Sequence, residues 1–572
     1  MTRIKGARIK CGAVLTVIAV LAGCGTGADA GGESEDVTGG IKAGQIDANQ
    51  ATVQDGGTVT YSIEVDVKNW NILHATGDVF GYRQALNPVL PHAMISMPDF
   101  TMAKNDALLL DARIVKESPQ TVEYKIRPEA TWSDGTPITA EDFKYTWQVQ
   151  DPKQCPACQP ASTAGYDQVA SVTGGDDGKT VTVTFKKTYQ PWRLMFPHLL
   201  PAHIATQHGD LAASFNDFLT ATVPTWSGGP YLIDQYVPNQ SVTMKKNPKW
   251  YGDGPRLDQL IFRILTDERQ AVTAMANNEI QVVVPRPTLD LVDQLKGIGS
   301  VTTTLASGLL YEHLDINTAQ PALSDPALRR AVFTAVDRQA IVDKTIGQFA
   351  ANIKPLGNRN FMPEQMLDGV DAYVDNVTDK GLGGGEIDAA KKILTDAGYV
   401  IGNGGLTDPK GRPVPTLRMR YSKGNQLRLD TSVLVQNQLK QLGITLQLQE
   451  TDSLGTTVNT GDYDLIVFGT NLDVIPTATA QSVFGSKGSH TGYKDPEIDG
   501  WLSDAAQTLD PKQVVDLLNK VDARISDQAV TLPLYQMPTL LAYRSDLGNI
   551  RVNPTRFGTS YNVQDWGVKN AD

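Results

Sequence analysis

The sequence predicts an α/β protein, strand-rich in its N-terminal half and built as a helix-covered sheet in its C-terminal half. Three stretches carry this reading. "TVEYKIR" (121–127) alternates Val122, Tyr124 and Ile126 with Glu123, Lys125 and Arg127, the two-residue period of a strand with one buried face. "DPALRRAVFTAVDRQAIV" (325–342) sets Leu328, Val332 and Ala335, with Ala331 and Val336, at helical spacing. "DLIVFGT" (464–470) is an unbroken apolar run, suited to a strand covered on both faces.

The chain starts with Arg3, Lys5, Arg8 and Lys10, and then the apolar "GAVLTVIAVLAG" (12–23). About a dozen apolar residues fit a signal-peptide core and fall short of the roughly 20 that span a bilayer. Leu21-Ala22-Gly23 supplies a cleavage site, and with Cys24 next, "LAGC" resembles the lipobox of bacterial lipoproteins. That resemblance implies cleavage after residue 23 and a diacylglycerol on the Cys24 sulfur. The other reading is an ordinary cleaved signal followed by an incidental cysteine. Residues 24–54 are rich in Gly, Ala and acids and lack aromatics, so they are read as a flexible tether.

The whole chain of 572 residues has a formal charge of −12, and loss of the four basic residues of the leader takes it to −16. An acidic surface without a basic cluster argues against a nucleic-acid partner. No later apolar run approaches about 18 residues, so membrane contact is expected through the lipid alone. A chain this long divides into two or more domains.

From Gly57 the pattern is globular. "ATWSDGTPITAEDFKYTWQ" (130–148) reads as a turn and then a helix, capped by Thr139 with Asp142 three residues on; Phe143 and Trp147 form its apolar face. "QCPACQP" brings Cys155 and Cys158 into a Pro-rich loop. A redox pair would need a strand–helix setting and a metal site would need further ligands, whereas outside the cytoplasm a local disulfide is the natural outcome. "GKTVTVTFKK" (178–187) repeats the strand alternation at Val181, Val183 and Phe185. In the C-terminal half, Asp325-Pro326 opens the first helix, while "DAAKKILTDAG" and "VLVQNQLKQLG" stop at Gly398 and Gly443. The strand "ITLQLQ" follows directly.

Catalytic motifs are not found. Gly178-Lys179-Thr180 lacks the glycine that a phosphate loop needs five positions earlier, where Thr173 stands, and reads as a hairpin turn. "GSKGSH" has the wrong spacing for a nucleophile elbow, and the seven histidines are scattered.

The string at 130–148 resembles the signature of the extracytoplasmic solute-binding proteins of the oligopeptide/dipeptide/nickel importers. Further similar segments follow in order: "SGGPYLIDQY" (227–236), "NPKWYGDGPRLDQLIFRI" (247–264), "HLDINTAQPALSDPALRRAVFTAVDR" (313–338), "GYKDPEIDGWL" (492–502) and "LPLYQ" (532–536). Within that family the chain is most similar to the peptide-binding lipoproteins of actinobacteria. The resemblance implies a two-lobed α/β clamp of the type II, large peptide-binding class, with an extra β-rich subdomain. Lobe I is expected from 55–104, 226–308 and the return 541–572, the subdomain from 105–225, and lobe II from 309–540. It also implies no enzymatic activity, no cofactor and no metal; a monomer outside the cell, anchored by lipid; and partnership with permease and ATPase subunits.

In peptide-binding relatives an aspartate after a lobe II strand pairs with the peptide's α-ammonium. Asp473, the ninth residue onward from Asp464, has that spacing, although Pro476 lies one residue nearer than the family pattern; the alternatives are a helix cap or a surface acid. Trp70 and Asn71 are candidates to stack on or bond a ligand, with Trp70 equally suited to a core. Tyr311, His313 and Asn317 fall at an expected lobe crossing, and Trp226 precedes a Gly-Gly-Pro-Tyr turn. The expected ligand is an oligopeptide. A nickel complex, heme or other small solute is the alternative on the same fold, with His313 as the contact a metal complex would use; a secreted hydrolase is a third.

Overall fold

A computed structural model describes residues 42–570. The expected leader, the expected lipidation site at Cys24 and the first part of the expected tether lie outside the described residues.

Two sheets organise the chain. One has eight strands, in the order Lys42–Ala43, Val301–Ser307, Thr539–Arg544, Val282–Val283, Thr58–Ile63, Gln259–Ile264, Ser241–Lys246 and Tyr231–Val237. It is covered on both faces, and the strand Thr539–Arg544 shows how. Leu541 and Tyr543 join one apolar cluster, with Val59, Tyr61 and Leu86. Leu540 and Ala542 join the other, beneath the helices Glu268–Ala276 and Leu289–Lys296.

The second sheet has five strands, Leu446–Thr451, Leu417–Ser422, Leu465–Asn471, Leu310–Ile316 and Thr531–Gln536. The unbroken run read from sequence is its central strand. Leu465 and Val467 face one cluster and Ile466 and Phe468 the other, so every position is apolar. The helices Pro326–Ala335, Ile387–Asp396 and Gln426–Lys440 cover it, and the last two stop near Gly398 and Gly443 at φ of +86° and +75°.

Two helices differ from expectation. The one read over 325–342 is broken, because Val336 is extended and Asp337 caps a new helix, Arg338–Lys344, by accepting from the Ala340 amide. The one ending at Gly443 begins earlier than its apolar residues suggested, at Gln426, where Asn425 accepts from the Arg428 amide.

A third body is built on the four strands Leu109–Glu117, Gln120–Ile126, Thr180–Phe185 and Val169–Gly174. The alternating residues read from sequence are buried and paired, Val122 opposite Val183 and Tyr124 opposite Val181. The helix Ala140–Gln148, with its Thr139–Asp142 capping box, packs Phe143 onto this face, 5.3 Å from Tyr124.

Residues 42–54, expected to be tether, are instead laced to the fold. Lys42–Ala43 runs parallel to Val301–Ser307, the Ala51 amide donates to Asn549 Oδ1 at 3.0 Å, and the Gln54 amide donates to the Val568 carbonyl at 2.8 Å. Backbone bonds to a sheet edge hold this segment without apolar burial, which is why composition did not reveal it.

The chain passes from the eight-stranded to the five-stranded sheet between Ser307 and Leu310, and returns between Gln536 and Thr539. The two crossings lie side by side. The Met537 amide donates to the Leu310 carbonyl at 2.8 Å, and Gln536 Nε2 donates to the Gly308 carbonyl at 2.7 Å. A Cβ at Gly308 would stand 2.5 Å from the Met537 carbonyl oxygen, so only glycine allows this approach.

Two buried histidines make the first body acid-sensitive. His198 Nε2 meets Asn87 Oδ1 at 2.9 Å, and the His92 and His198 rings pack on Phe557 at 5.2 and 5.7 Å. Burial lowers His92 to about 4 and His198 well below the ordinary value, so both are neutral when folded. The unfolded rings take up protons near pH 6.5, so stability falls as pH drops below that, and the His92 contribution levels off below about 4. Asp142, raised by burial to about 6, works in the opposite sense, since its folded form keeps a proton that the unfolded carboxyl releases. His92→Gln isolates one histidine. The loss of denaturation free energy from pH 7 to pH 4.5 should be smaller than in the parent by about 2–3 kcal/mol, and equal slopes would exclude His92 as a source.

Candidate ligand-binding cleft

Beyond the double crossing the two sheet-based bodies face each other along a seam. From the first body come Phe100, Met102 and Arg556, from the strand-rich body beside it Gln190, Arg193 and Leu194, and from the second Asp368, Asp473, Val474, Ile475 and Thr477. The apolar part is continuous across the seam. Phe100 is buried in one cluster with Tyr311, Leu356, Val474, Ile475 and Phe484, and Met102 and Leu194 pack against it. Phe100 sits at φ +67°, costly for an aromatic residue, at the tip of the hairpin joining Met94–Ser96 to Met102–Lys104. Sequence patterning carries no signal for it, because the strain and the insertion are both properties of the assembled hairpin.

Polar contacts flank the apolar part. Thr477 Oγ1 donates to Gln190 Oε1 at 3.0 Å, with both residues buried. Arg193 Nη1 lies 3.1 Å from Asp368 Oδ2, and Arg556 Nε lies 3.1 Å from Asp473 Oδ1. The first two join the strand-rich body to the second body, and the third joins the first body to it.

Asp473 follows the central strand Leu465–Asn471. Its segment is held from both sides, by the Leu472 amide bonding the Leu309 carbonyl at 2.9 Å and by Gln365 Nε2 donating to the Val474 carbonyl at 3.1 Å. Pro476 then starts the helix Thr477–Phe484. The side chain is about one-fifth exposed; Oδ2 accepts from Thr479 Oγ1 at 3.0 Å, leaving Oδ1 to face the opposite body.

The other residues singled out from sequence are placed as follows. Tyr311 is buried in the seam's apolar cluster, and burial raises its hydroxyl pKa strongly. His313 and Asn317 lie on or just past the same strand but are engaged internally. His313 Nδ1 meets Asp315 Oδ1 at 2.8 Å and its Nε2 meets Thr470 Oγ1 at 2.9 Å. Asn317 Nδ2 donates to the Gly461 and Tyr463 carbonyls at 3.0 and 3.2 Å. Asp315 also bonds His490 Nε2 at 2.6 Å; burial alone would raise its carboxyl, but the two imidazoles outweigh burial and hold it well below the usual range.

Trp70 and Asn71 lie where the first body joins the strand-rich one. Trp70 meets Tyr236 edge-on at 5.0 Å, and Asn71 Nδ2 donates to the Phe215 carbonyl at 2.9 Å. Trp226 stacks on Phe218 at 5.8 Å within the strand-rich core. The seam thus brings together Asp473 and Tyr311 of the sequence candidates. Arg556, Gln190 and Arg193 lie outside every motif read from sequence. Cys155 and Cys158 are joined by a disulfide. Among the described residues no group of three or more His, Cys, Asp or Glu is placed to hold a metal ion, and no helix is long and apolar enough to cross a membrane.

Residues 108–492 match the family model of bacterial extracellular solute-binding proteins, family 5. The oligopeptide-binding protein OppA of Mycobacterium tuberculosis is 31% identical over 518 residues, covering 88% of this chain and 84% of the relative. An uncharacterized lipoprotein of the same organism is 24% identical, covering 99% of this chain and 98% of its own length. Among solved structures, the periplasmic EDTA-binding protein EppA superposes with a TM-score of 0.88 at 36% identity, over 92% of this chain and 99% of that one. The architecture is accordingly the two-lobed α/β fold of type II periplasmic binding proteins, with the sheets described above as the frames of its lobes.

Gln190→Ala should leave the Thr477 hydroxyl without its cross-seam partner. The closed arrangement then loses about 1 kcal/mol, and amide exchange in Thr477–Phe484 should speed up about fivefold. Unchanged exchange there would show that this contact does not hold the lobes together.

Proposed function

We propose that the protein captures oligopeptides outside the cell and passes them to a membrane permease, since the chain belongs to the bacterial extracellular solute-binding proteins, family 5. The observation that carries the peptide reading is Asp473, whose Oδ1 projects from the second lobe across the seam toward the first. A peptide's α-ammonium placed there gains a charge-assisted bond with Asp473, whereas a ligand without a cation leaves Asp473 with only its Arg556 and Thr479 contacts. The OppA likeness supports this choice of ligand.

The mechanical part follows from the double crossing. Two adjacent strand connections, packed tightly at Gly308, allow rotation of one lobe against the other with few backbone angles changing. Ligand shifts the population toward the closed form because only that form contacts it from both sides. The chain has no phosphate loop, so the energy of import comes from separate ATPase subunits. Cys24 carries the lipid anchor, and the protein works as a monomer.

A second reading is favoured by the EppA likeness, in which the solute is an anionic metal chelate. Arg193 and Arg556 are the cations that would meet its carboxylates, while His313, engaged by Asp315 and Thr470, is not offered to a metal.

Native mass spectrometry of the purified full chain in detergent separates the two, by the mass of whatever solute is retained. In titrations, Asp473→Ala should weaken binding of free-amine peptides about 10- to 100-fold and leave their N-acetylated forms within about twofold. Equal losses for both would remove the ammonium contact.

A further inference from the structure

We infer that Arg556 is a specificity determinant, a built-in counter-ion for Asp473 that selects ligands whose amino group carries a carboxylate close by. The inference rests on the reading of Asp473 as the ligand's ammonium contact, and it adds a second charge to that site.

The geometry starts from the backbone on either side of Arg556. Thr555 Oγ1 donates to the Asn553 side chain at 2.7 Å, and Asn553 Nδ2 donates to the Ser96 carbonyl at 2.9 Å. The Phe557 carbonyl accepts from Gln84 Nε2 at 2.9 Å and from Asn87 Nδ2 at 2.7 Å. Arg556 therefore rises from a fixed platform on the first lobe, and its reach to Asp473 is set by how far the lobes have closed.

Its donors are only partly used. Nε faces Asp473 Oδ1 at 3.1 Å, and neither Nη has a hydrogen-bond or ion-pair partner among the described residues. Arg193, the other seam arginine, is spent differently. Its Nη1 is on Asp368 and its guanidinium lies 4.9 Å over the Trp192 ring. The Arg556 side chain is about half exposed, so its guanidinium is not shut into the core.

The consequence for a ligand follows from charge balance. An ammonium alone takes Asp473 Oδ1 and leaves Arg556 without its counter-ion as the seam closes. An ammonium with a carboxylate beside it restores a partner to both, since the carboxylate meets the two Nη donors in the planar geometry a guanidinium favours. One chain-internal pair is exchanged for two ligand pairs. A peptide with an acidic first residue has this chemistry, and so does a small aminocarboxylate.

The test uses the full chain in detergent, with Asp-Ala-Ala, Ala-Ala-Ala and iminodiacetate as titrants against the parent, Arg556→Gln and Asp473→Asn. The parent should bind Asp-Ala-Ala about three- to tenfold tighter than Ala-Ala-Ala, and Arg556→Gln should bring the two within about twofold. If the natural source is a small aminocarboxylate, iminodiacetate binds the parent and loses about tenfold or more in Arg556→Gln. A parent without preference, or a preference that survives Arg556→Gln, overturns the inference. If Asp473→Asn leaves Ala-Ala-Ala binding unchanged while Arg556→Gln still erases the preference, the ammonium reading fails and the Arg556 assignment stands. Loss in Asp473→Asn alone gives the reverse. Should none of the three bind, hydrogen–deuterium exchange decides. Arg556→Gln must raise exchange in 472–479 and 553–557, and unaltered exchange rejects the pairing.

Discussion

The structure depends on one constraint: the chain may pass between its two sheets only twice, and both passages run side by side. The Met537 amide on the Leu310 carbonyl ties them together, and Gly308 lets them approach to a distance no side chain would permit. Each lobe can then be rigid on its own account, because nothing else in the sheet frameworks has to deform when the lobes move. The crossing also places the end of the central strand, and with it Asp473, at the mouth of the seam.

Rigidity within a lobe and weakness between lobes come from different classes of contact. Inside the second lobe two Arg–carboxylate pairs are buried. Arg359 bonds Asp522 and Ser526 as well as the Thr531 carbonyl, and Arg428 bonds Glu312 through Nε and one Nη at 2.9 and 2.7 Å. Breaking one of these would leave a charge stranded away from water, so they specify a single arrangement. Across the seam the pairs Arg193–Asp368 and Arg556–Asp473 are partly exposed. Pairs of that kind contribute little each and can be exchanged for water or for a ligand's charges. A clamp needs this asymmetry. The same contacts that hold it closed must be cheap to open, whereas those that shape each jaw must not be.

Local signals in the sequence proved to be of uneven reach. Alternation at 121–127 and 178–187 identified paired strands, because the pattern records which face is buried. The glycines at 398 and 443 marked helix ends, because a positive φ leaves that residue few alternatives. Val336–Asp337 shows the limit. Helical spacing continues through it, yet Asp337 caps a new helix, and the choice between continuing and restarting depends on the Arg338 amide bonding Gly383 far along the chain. Residues 42–54 show another limit, since a segment poor in apolar residues can be held by backbone bonds to a sheet edge that the sequence does not display.

The sequence by itself determined the family and the α/β class, because these are written in runs of neighbouring residues: ordered motifs and periodicity. Only the tertiary structure decided that Asn71, Asn317, His313, Trp70 and Trp226 are engaged within the lobes, and that Phe100, Gln190 and Arg556 meet the second lobe. Those assignments depend on which residues distant in sequence come to share a surface. Arg556 and Asp473, 83 positions apart, are neighbours only because the chain returns to its first sheet after building its second.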